Sequence, residues 1–430
     1  MTSPLRVGIA GLGTVGAGVI KIIEQRSENL KSRAGREIII TAVSARDRGK
    51  DRGISVEGYT WYDDANEMAN DPDVDVVLEL IGGSEGVART LCETSLNNGK
   101  HVVTANKALL AHHGTELARY AEAKGVSLSY EAAVAGGIPI IKAMREGLAA
   151  NGISRVYGIL NGTCNYILTE MNQSGRDFAD ILSDAQQQGY AESDPSFDVD
   201  GIDAAHKLAI LASVAFGSEV DFDAVYTQGI RDITPIDIQF AKELGYGIKL
   251  LGIASESENG IEQRVHPCMV PIDAPINHVN GVFNAVVADG DFVDTTIYEG
   301  RGAGEGPTAS AVMADVIDIA RGNQVPTFAI PADQLVKKPT VPMNNHRGAY
   351  YIRLMVVDRP GVFAAIAKAL ENNNVSMESV IQRSRDPGEP VPVVMTVHDT
   401  EEAAMLKTLE EIAANDTIVE QPSMIRIEEL

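Results

Sequence analysis

The sequence predicts an α/β protein built from three successive units: a doubly wound parallel sheet, an α+β middle unit and a small β-α-β-β-α-β unit at the C-terminus. Three observations predict it. Over the first third of the chain, short apolar runs alternate with stretches of helical length. Prolines and an asparagine pair interrupt the pattern at residues 326–349. Beyond them a new and more compact pattern begins. With 430 residues, and roughly 100–200 residues per domain, the length suggests two to four domains.

In chain order, buried strands are expected at 7–10, 38–43, 74–81 and 101–104, with a fifth at 126–130. Helical stretches at 16–28 and 86–97 lie between them. Apolar strands spaced by helices form βαβ units and a parallel sheet. This unit takes residues 1–130, with residues 301–325 expected to complete it. Residues 131–300 mix helical patterns at 138–148, 165–171, 178–188 and 203–216 with strands near 155–160, 249–254 and 262–270. A glycine-rich turn, Gly300-Arg-Gly-Ala-Gly-Glu-Gly-Pro307, opens a helix at 310–320. Residues 326–349, with Pro326, Pro331, Pro339 and Pro342, read as a linker. Residues 350–430 give strand 350–357, a turn Asp358-Arg-Pro-Gly361, helix 362–370, strands 375–383 and 391–398, helix 401–414 and strand 418–427. That order is ferredoxin-like.

Composition narrows the function classes. Lys plus Arg number 36 and Asp plus Glu 60, a net charge of −24. Such a surface repels phosphate backbones, so neither nucleic acid nor an anionic membrane is an expected partner. The 3 cysteines, Cys92, Cys164 and Cys268, are far apart and odd in number, which suits a reducing cytoplasm and gives no disulfide framework or clustered zinc site. The start Met1-Thr-Ser-Pro-Leu-Arg6 runs straight into an apolar strand, without a cleavable leader, and no apolar run reaches membrane-spanning length. A cytoplasmic location is expected.

Gly11-Leu-Gly-Thr-Val-Gly16 follows the first strand and opens a helix. In that context Gly11 permits the tight turn, Gly13 lets backbone amides approach a pyrophosphate, and Gly16 brings the helix close to the strand. Thr14 and Val15 lie within the same turn. The motif makes the first unit a Rossmann-type nucleotide-binding domain. The second strand leads to Arg46, suited to a 2′-phosphate, but Asp47 follows it, so NADP and NAD both stand. Gly82, Gly83 and Ser84 end the third strand, and Thr104-Ala-Asn-Lys107 the fourth, where parallel sheets bind ligands. Lys107 should point toward the nicotinamide region.

The segment 189–203 carries Glu192, Asp194, Asp198, Asp200 and Asp203, then runs into a nearly apolar helix. Asp203 and Lys207 share a face of that helix. A charged pair on a buried helix lines a cleft, and clustered carboxylates suit an ammonium group. Calcium is disfavoured because the spacing is not that of an EF-hand loop. His112, His113 and His206 lack metal-ligand partners at useful spacing, and Cys164 has no base nearby, so all four read as structural.

Taken with Glu131-Ala-Ala-Val-Ala-Gly-Gly-Ile-Pro139, Asn161-Gly-Thr-Cys-Asn165 and the turn 300–308, these motifs resemble, in order and over essentially the whole chain, the monofunctional homoserine dehydrogenases with a C-terminal ACT domain. The resemblance implies NAD(P)-dependent interconversion of L-homoserine and L-aspartate 4-semialdehyde, in threonine, methionine and isoleucine biosynthesis. It implies substrate contacts at Tyr190, Glu192, Asp198, Asp203 and Lys107, and proton transfer by Lys107 and Lys207 beside Asp203. It adds cofactor contacts at Gly189 and Gly304. It implies a monovalent cation, usually sodium, near Glu131, Val134, Gly136 and Ile138. It further implies a middle domain that is both catalytic and dimerising, a homodimer or homotetramer, and L-threonine as regulator. Two rivals stand beside it: aspartate-semialdehyde dehydrogenase, which would need Cys164 as its nucleophile, and an amino-acid sensor without turnover.

Overall fold

The computed structural model describes residues 3–383 and 389–430. Met1 and Thr2, on which the expected leaderless start partly rests, lie outside the described residues. The first unit runs β1 (Leu5–Ala10), α1 (Thr14–Ala34), β2 (Ile38–Ser44), β3 (Thr60–Tyr62), β4 (Val76–Glu79), α2 (Val87–Asn97), β5 (His101–Thr104), α3 (Lys107–Ala123) and β6 (Leu128–Ser129). All six strands pair in parallel in the order β3-β2-β1-β4-β5-β6. The winding reverses between β1 and β4, and the crevice outside their carboxyl ends is where such sheets take ligands. β3 escaped the sequence reading because three partly exposed residues carry no periodicity.

The middle unit runs α4 (Ile140–Lys142), β7 (Ile153–Ile159), α5 (Gly162–Ser174), α6 (Phe178–Gln187), α7 (Ser196–Val199), α8 (Ile202–Phe216), β8 (Tyr226–Thr227), α9 (Pro235–Glu243), β9 (Tyr246–Ser257), β10 (Gly260–Pro271), β11 (Phe283–Gly290), β12 (Asp294–Arg301) and α10 (Glu305–Arg321). The helix expected over 138–148 is a single α turn followed by a wider turn over Ala143–Gly147. α8 is buried over nearly its whole length, as a helix apolar on all sides must be. Gly201 and Gly217, both left-handed, bound it. The β11–β12 hairpin was missed because β12 is half-exposed along its length and its turn uses Asp294, at φ 59°, rather than glycine.

α10 turns back to the first unit and packs against α1. A Cβ at Gly18 of α1 would stand 2.8 Å from the Glu305 side chain and 3.0 Å from Ala309, and Lys21 pairs with Glu305 at 2.6 Å. The stretch 326–349 is laid down on the first two units. Phe328 is buried with its ring 5.3 Å from that of Tyr130, whose hydroxyl donates to the Thr327 carbonyl at 2.7 Å. Glu122 accepts from the backbone amides of Thr327 and Ala332.

The C-terminal unit runs β13 (Arg347–Val357), α11 (Val362–Asn372), β14 (Met377–Ile381), β15 (Pro390–Glu401), α12 (Glu402–Ala413) and β16 (Ser423–Ile427). Its antiparallel order, β16-β13-β15-β14, is ferredoxin-like. It does not stand apart: β16 pairs in parallel with β10, through Cys268 opposite Arg426 and Met269 opposite Ile427. The two units thus share one ten-stranded sheet. Buried ion pairs seal the junction. Arg426 pairs with Glu402 and donates to Gln228 at 2.8 Å, Arg264 pairs with Glu428, and Arg353 donates to Asp237 at 2.8 Å. Among the described residues, no helix is long and apolar enough to cross a membrane.

Candidate active site

Two cavities flank the Gly11–Gly16 turn. The first, about 710 Å³, is lined by Gly11, Gly13, Arg46, Asp47, Lys50, Arg52 and Gly82 among others. The three glycines of the motif play different parts. Gly11 has φ 104°, and a Cβ there would collide with the Leu80 carbonyl; one at Gly16 would collide with the Gly11 carbonyl. Gly13 has nothing within 4 Å, which leaves its face open to a ligand. Thr14 is exposed in the first turn of α1, where backbone N–H groups favour an anion. At the far end, Arg46 lies with Lys50 and Arg52, both missed from sequence because they fall beyond the strand tip. Arg52 is fixed by the Leu12 carbonyl at 3.0 Å, the Lys50 carbonyl at 2.7 Å and the Asp47 carbonyl. The Asp47 carboxylate is engaged by the Gly49 amide at 2.8 Å.

The wall between the cavities rests on a group the sequence reading did not single out. Glu79, fully buried at the end of β4, accepts from the amides of Ile81 and Gly82 at 2.8 and 3.0 Å. It also accepts from the Thr104 hydroxyl at 2.6 Å. Thr104 is therefore buried and committed to the protein, and Ser84 does not line the first cavity. Asn106 caps α3 and donates to the Gly83 carbonyl at 2.7 Å, which presents Lys107 at the helix start.

The second cavity, about 560 Å³, is lined by Val15, Lys107, Gly136, Gly189, Tyr190, Asp198, Asp203, Lys207 and Gly304, with further residues from the turn 300–304. Its centre is a shared carboxylate. Lys207 donates to Asp203 Oδ2 at 2.6 Å and to the Leu160 carbonyl at 2.7 Å, and Lys107 Nζ lies 3.1 Å from Asp203 Oδ1. Asn161 donates to Asp203 and to Asp198, both at 2.8 Å. Burial opposes the charge on Asp203, but the two lysines and Asn161 outweigh it and hold the carboxyl well below the usual range. Asp198 goes the other way: burial, with the negative Asp203 beside it, raises its pKa. Lys107 also lies 5.6 Å over the Phe197 ring.

Glu192 is exposed and does not line this cavity. Cys164 is buried, its thiol pushed up by burial, and its Sγ donates to the Asp198 carbonyl at 3.2 Å. This is a structural thiol, which removes the nucleophile that the aspartate-semialdehyde dehydrogenase reading needs. His206 packs its ring 4.4 Å from Phe222 and 5.5 Å from His112. Burial, with His112 and Lys107 nearby, lowers its pKa to about 4.

Beside Gly136, the chain bends through left-handed Ala135 (φ 55°) and Gly136 (φ 46°). Among the described residues, no donor reaches the carbonyls of Val134 or Gly136, while that of Ile138 accepts from the Ile140 amide at 2.8 Å. Glu131 accepts from the amides of Ile141 and Lys142, both at 2.9 Å. Burial, with Asp315 adjacent, pushes its carboxyl up to about 7. Unsatisfied carbonyls in a buried bend next to a carboxylate fit a hard monovalent cation.

A doubly wound sheet with an open glycine turn, next to a cavity holding paired lysines on one carboxylate, defines an NAD(P)-dependent oxidoreductase. Residues 11–131 match the family model for the homoserine dehydrogenase NAD-binding domain, residues 139–317 that for homoserine dehydrogenase, and residues 350–416 that for the ACT domain. The homoserine dehydrogenase of Pseudomonas aeruginosa is 45% identical over 99% of each chain. The crystal structure of a homoserine dehydrogenase from Thiobacillus denitrificans superposes with a TM-score of 0.94 at 46% identity, over 99% of each chain. A hyperthermophilic archaeal homoserine dehydrogenase solved in complex with NADPH matches 74% of this chain and 97% of its own, with a TM-score of 0.63 at 27% identity. The chain belongs to the homoserine dehydrogenase family.

Proposed function

We propose that the chain interconverts L-homoserine and L-aspartate 4-semialdehyde with NADP(H) preferred over NAD(H), as a step toward threonine, methionine and isoleucine. The carrying observation is the Lys107–Asp203–Lys207 triad facing the second cavity. The bound nicotinamide supplies hydride acceptance and donation. The chain's own residues handle the proton. As hydride leaves homoserine, one lysine of the pair, as the neutral amine, takes the hydroxyl proton and becomes ammonium; in the reverse direction the ammonium returns that proton to the developing alkoxide. Asp203, held so acidic, is a poor base; it fixes both lysine side chains. Asp198 and Tyr190 take the substrate's amino-acid end. Glu192, exposed and outside the cavity lining, is not assigned a contact with them. Homoserine-dependent reduction of NADP+, followed by absorbance, tests the assignment; no turnover with either cofactor refutes it.

Sodium held by the 131–138 bend would fix the wall of the cavity at Gly136. Replacing sodium by choline should lower both melting temperature and activity, and indifference to the exchange removes the cation. The ACT domain is read as an L-threonine sensor. Its sheet continues into the catalytic sheet through β16 and β10, so a ligand that prefers one arrangement of that junction biases the other. Neither calorimetric binding nor inhibition of the full chain by millimolar threonine would leave the domain an assembly element of a homodimer or homotetramer.

A further inference from the structure

Asn284, the second residue of β11, lines the second cavity, yet it is 1% exposed, and among the described residues neither its Nδ2 nor its Oδ1 has a hydrogen-bond partner. A buried amide with both ends unsatisfied is costly, and such groups are rare in folded proteins. The backbone around it is shaped to admit it. A Cβ at Gly302 would collide with the amide itself, and one at Gly162 would stand 3.4 Å from Oδ1. Two glycines, from the start of α5 and from the turn before α10, thus flank one uncommitted side chain.

We propose that Asn284 is a cofactor-binding residue whose amide pairs with the carboxamide of the nicotinamide ring. An asparagine offers two donors and one acceptor. A group that satisfies both ends at once must itself present an acceptor and a donor side by side, and a carboxamide does. The place fits as well. Asn284 abuts the turn that leads into α10, the helix packed on α1, so it stands where the nucleotide-binding unit meets the catalytic unit. Most charged groups that suit an amino acid come instead from α3, α8 and the 190–198 segment, with Arg301 of β12 the exception. The pairing would orient one face of the ring toward Lys107 and Lys207.

The proposal rests on the dehydrogenase reading, so its test includes binding alone. NADPH is titrated by fluorescence into the full-length wild type and Asn284→Ala, beside the 3-acetylpyridine analogue, which keeps the carbonyl and loses the amide N–H groups. The expected result is NADPH binding weakened tenfold or more in the variant. The wild type's preference for NADPH over the analogue should shrink by a similar factor, and KM for homoserine should stay within twofold. An unchanged preference, or a loss that falls on homoserine alone, overturns the proposal. Should Asn284→Ala melt far below the wild type, Asn284→Asp, nearly identical in shape, is measured in the same way. Failure of homoserine turnover in the wild type would refute the reaction while leaving the binding comparison to decide on Asn284.

Discussion

The active cavity and the junction with the ACT domain both bury charged side chains, and they balance them differently. At the junction each cation has its carboxylate: Arg426 with Glu402, Arg264 with Glu428, Arg353 with Asp237. Even the one group of ligand-type side chains there among the described residues, His266, Cys268 and Glu428, has Arg264 donating to His266 Nε2 at 2.9 Å, so a guanidinium takes the place a metal would need. In the cavity, two lysines share one carboxylate. At the junction Arg264 even has a second carboxylate, Glu262 at 3.2 Å; cations with at least one carboxylate each leave nothing to react. Two-to-one pairing keeps a lysine with only a share of a carboxylate beside open space, where the reacting oxygen of a substrate can meet it.

The comparison is broken most forcefully at the cavity. Lys207→Ala should lower kcat by about 10²–10⁴-fold with cofactor affinity nearly unchanged, measured by steady-state absorbance and NADPH titration. Near-normal turnover in both Lys207→Ala and Lys107→Ala would mean the triad is structural after all. At the junction the loss should be in stability instead. Arg426→Ala strands Glu402, which is 2% exposed, and should cost about 3–5 kcal/mol in denaturant unfolding. Replacing Arg426 and Glu402 together by Met and Leu should recover most of that. If the double variant is no more stable than the single one, the cost comes from losing the bonds of Arg426 to Gln228 and Tyr226 rather than from a stranded Glu402.

Much of this is legible in the amino-acid sequence. The glycine motif, the Asp203–Lys207 spacing and the ferredoxin-like order are local patterns, and local patterns survive in sequence. What escaped depends on contacts between distant segments. Glu79 is an unremarkable strand residue until Thr104 and the 81–82 amides converge on it. Asn284 has no signal beyond its type, because its meaning comes from Gly162 and Gly302 on either side. The stretch 326–349 reads as a linker by its prolines, yet Phe328 and Leu335 bury themselves against the other units. The pairing of β16 with β10 cannot be seen from either strand alone.

The nucleotide end sharpens the contrast in a third way: Asp47, Asp63, Asp64 and Glu85 also line the crevice, yet among the described residues none of them forms an ion pair with Arg46, Lys50 or Arg52. Asp47, the near candidate, is tied to Gly49. Arg46→Ala should weaken NADP(H) by about tenfold, the size of one charge-assisted hydrogen bond, and leave NAD(H) almost unchanged. Equal losses for both cofactors would show that Arg46 does not read the 2′-phosphate and would move that role to Lys50 or Arg52.

Lys249 is the limiting case, a buried cation surrounded by oxygens none of which belongs to a carboxylate. It lies 2.6 Å from the Val279 carbonyl, 2.9 Å from Asn280 Oδ1 and 3.4 Å from Asn165 Oδ1. Burial alone brings its pKa down to about 8. Because the folded value lies below the unfolded one of about 10.4, the unfolded chain binds more protons between them, and stability must rise with pH across that window. Below pH 8 both states carry the proton and the penalty of burying the charge is paid in full. Between pH 8 and 9 the gain from this group should be about 1 kcal/mol. Lys249→Met removes the titrating group, so its unfolding free energy should lack that rise when measured over the same pH range. An identical slope in wild type and variant would mean that the neutral oxygens around Lys249 hold its charge as well as water does.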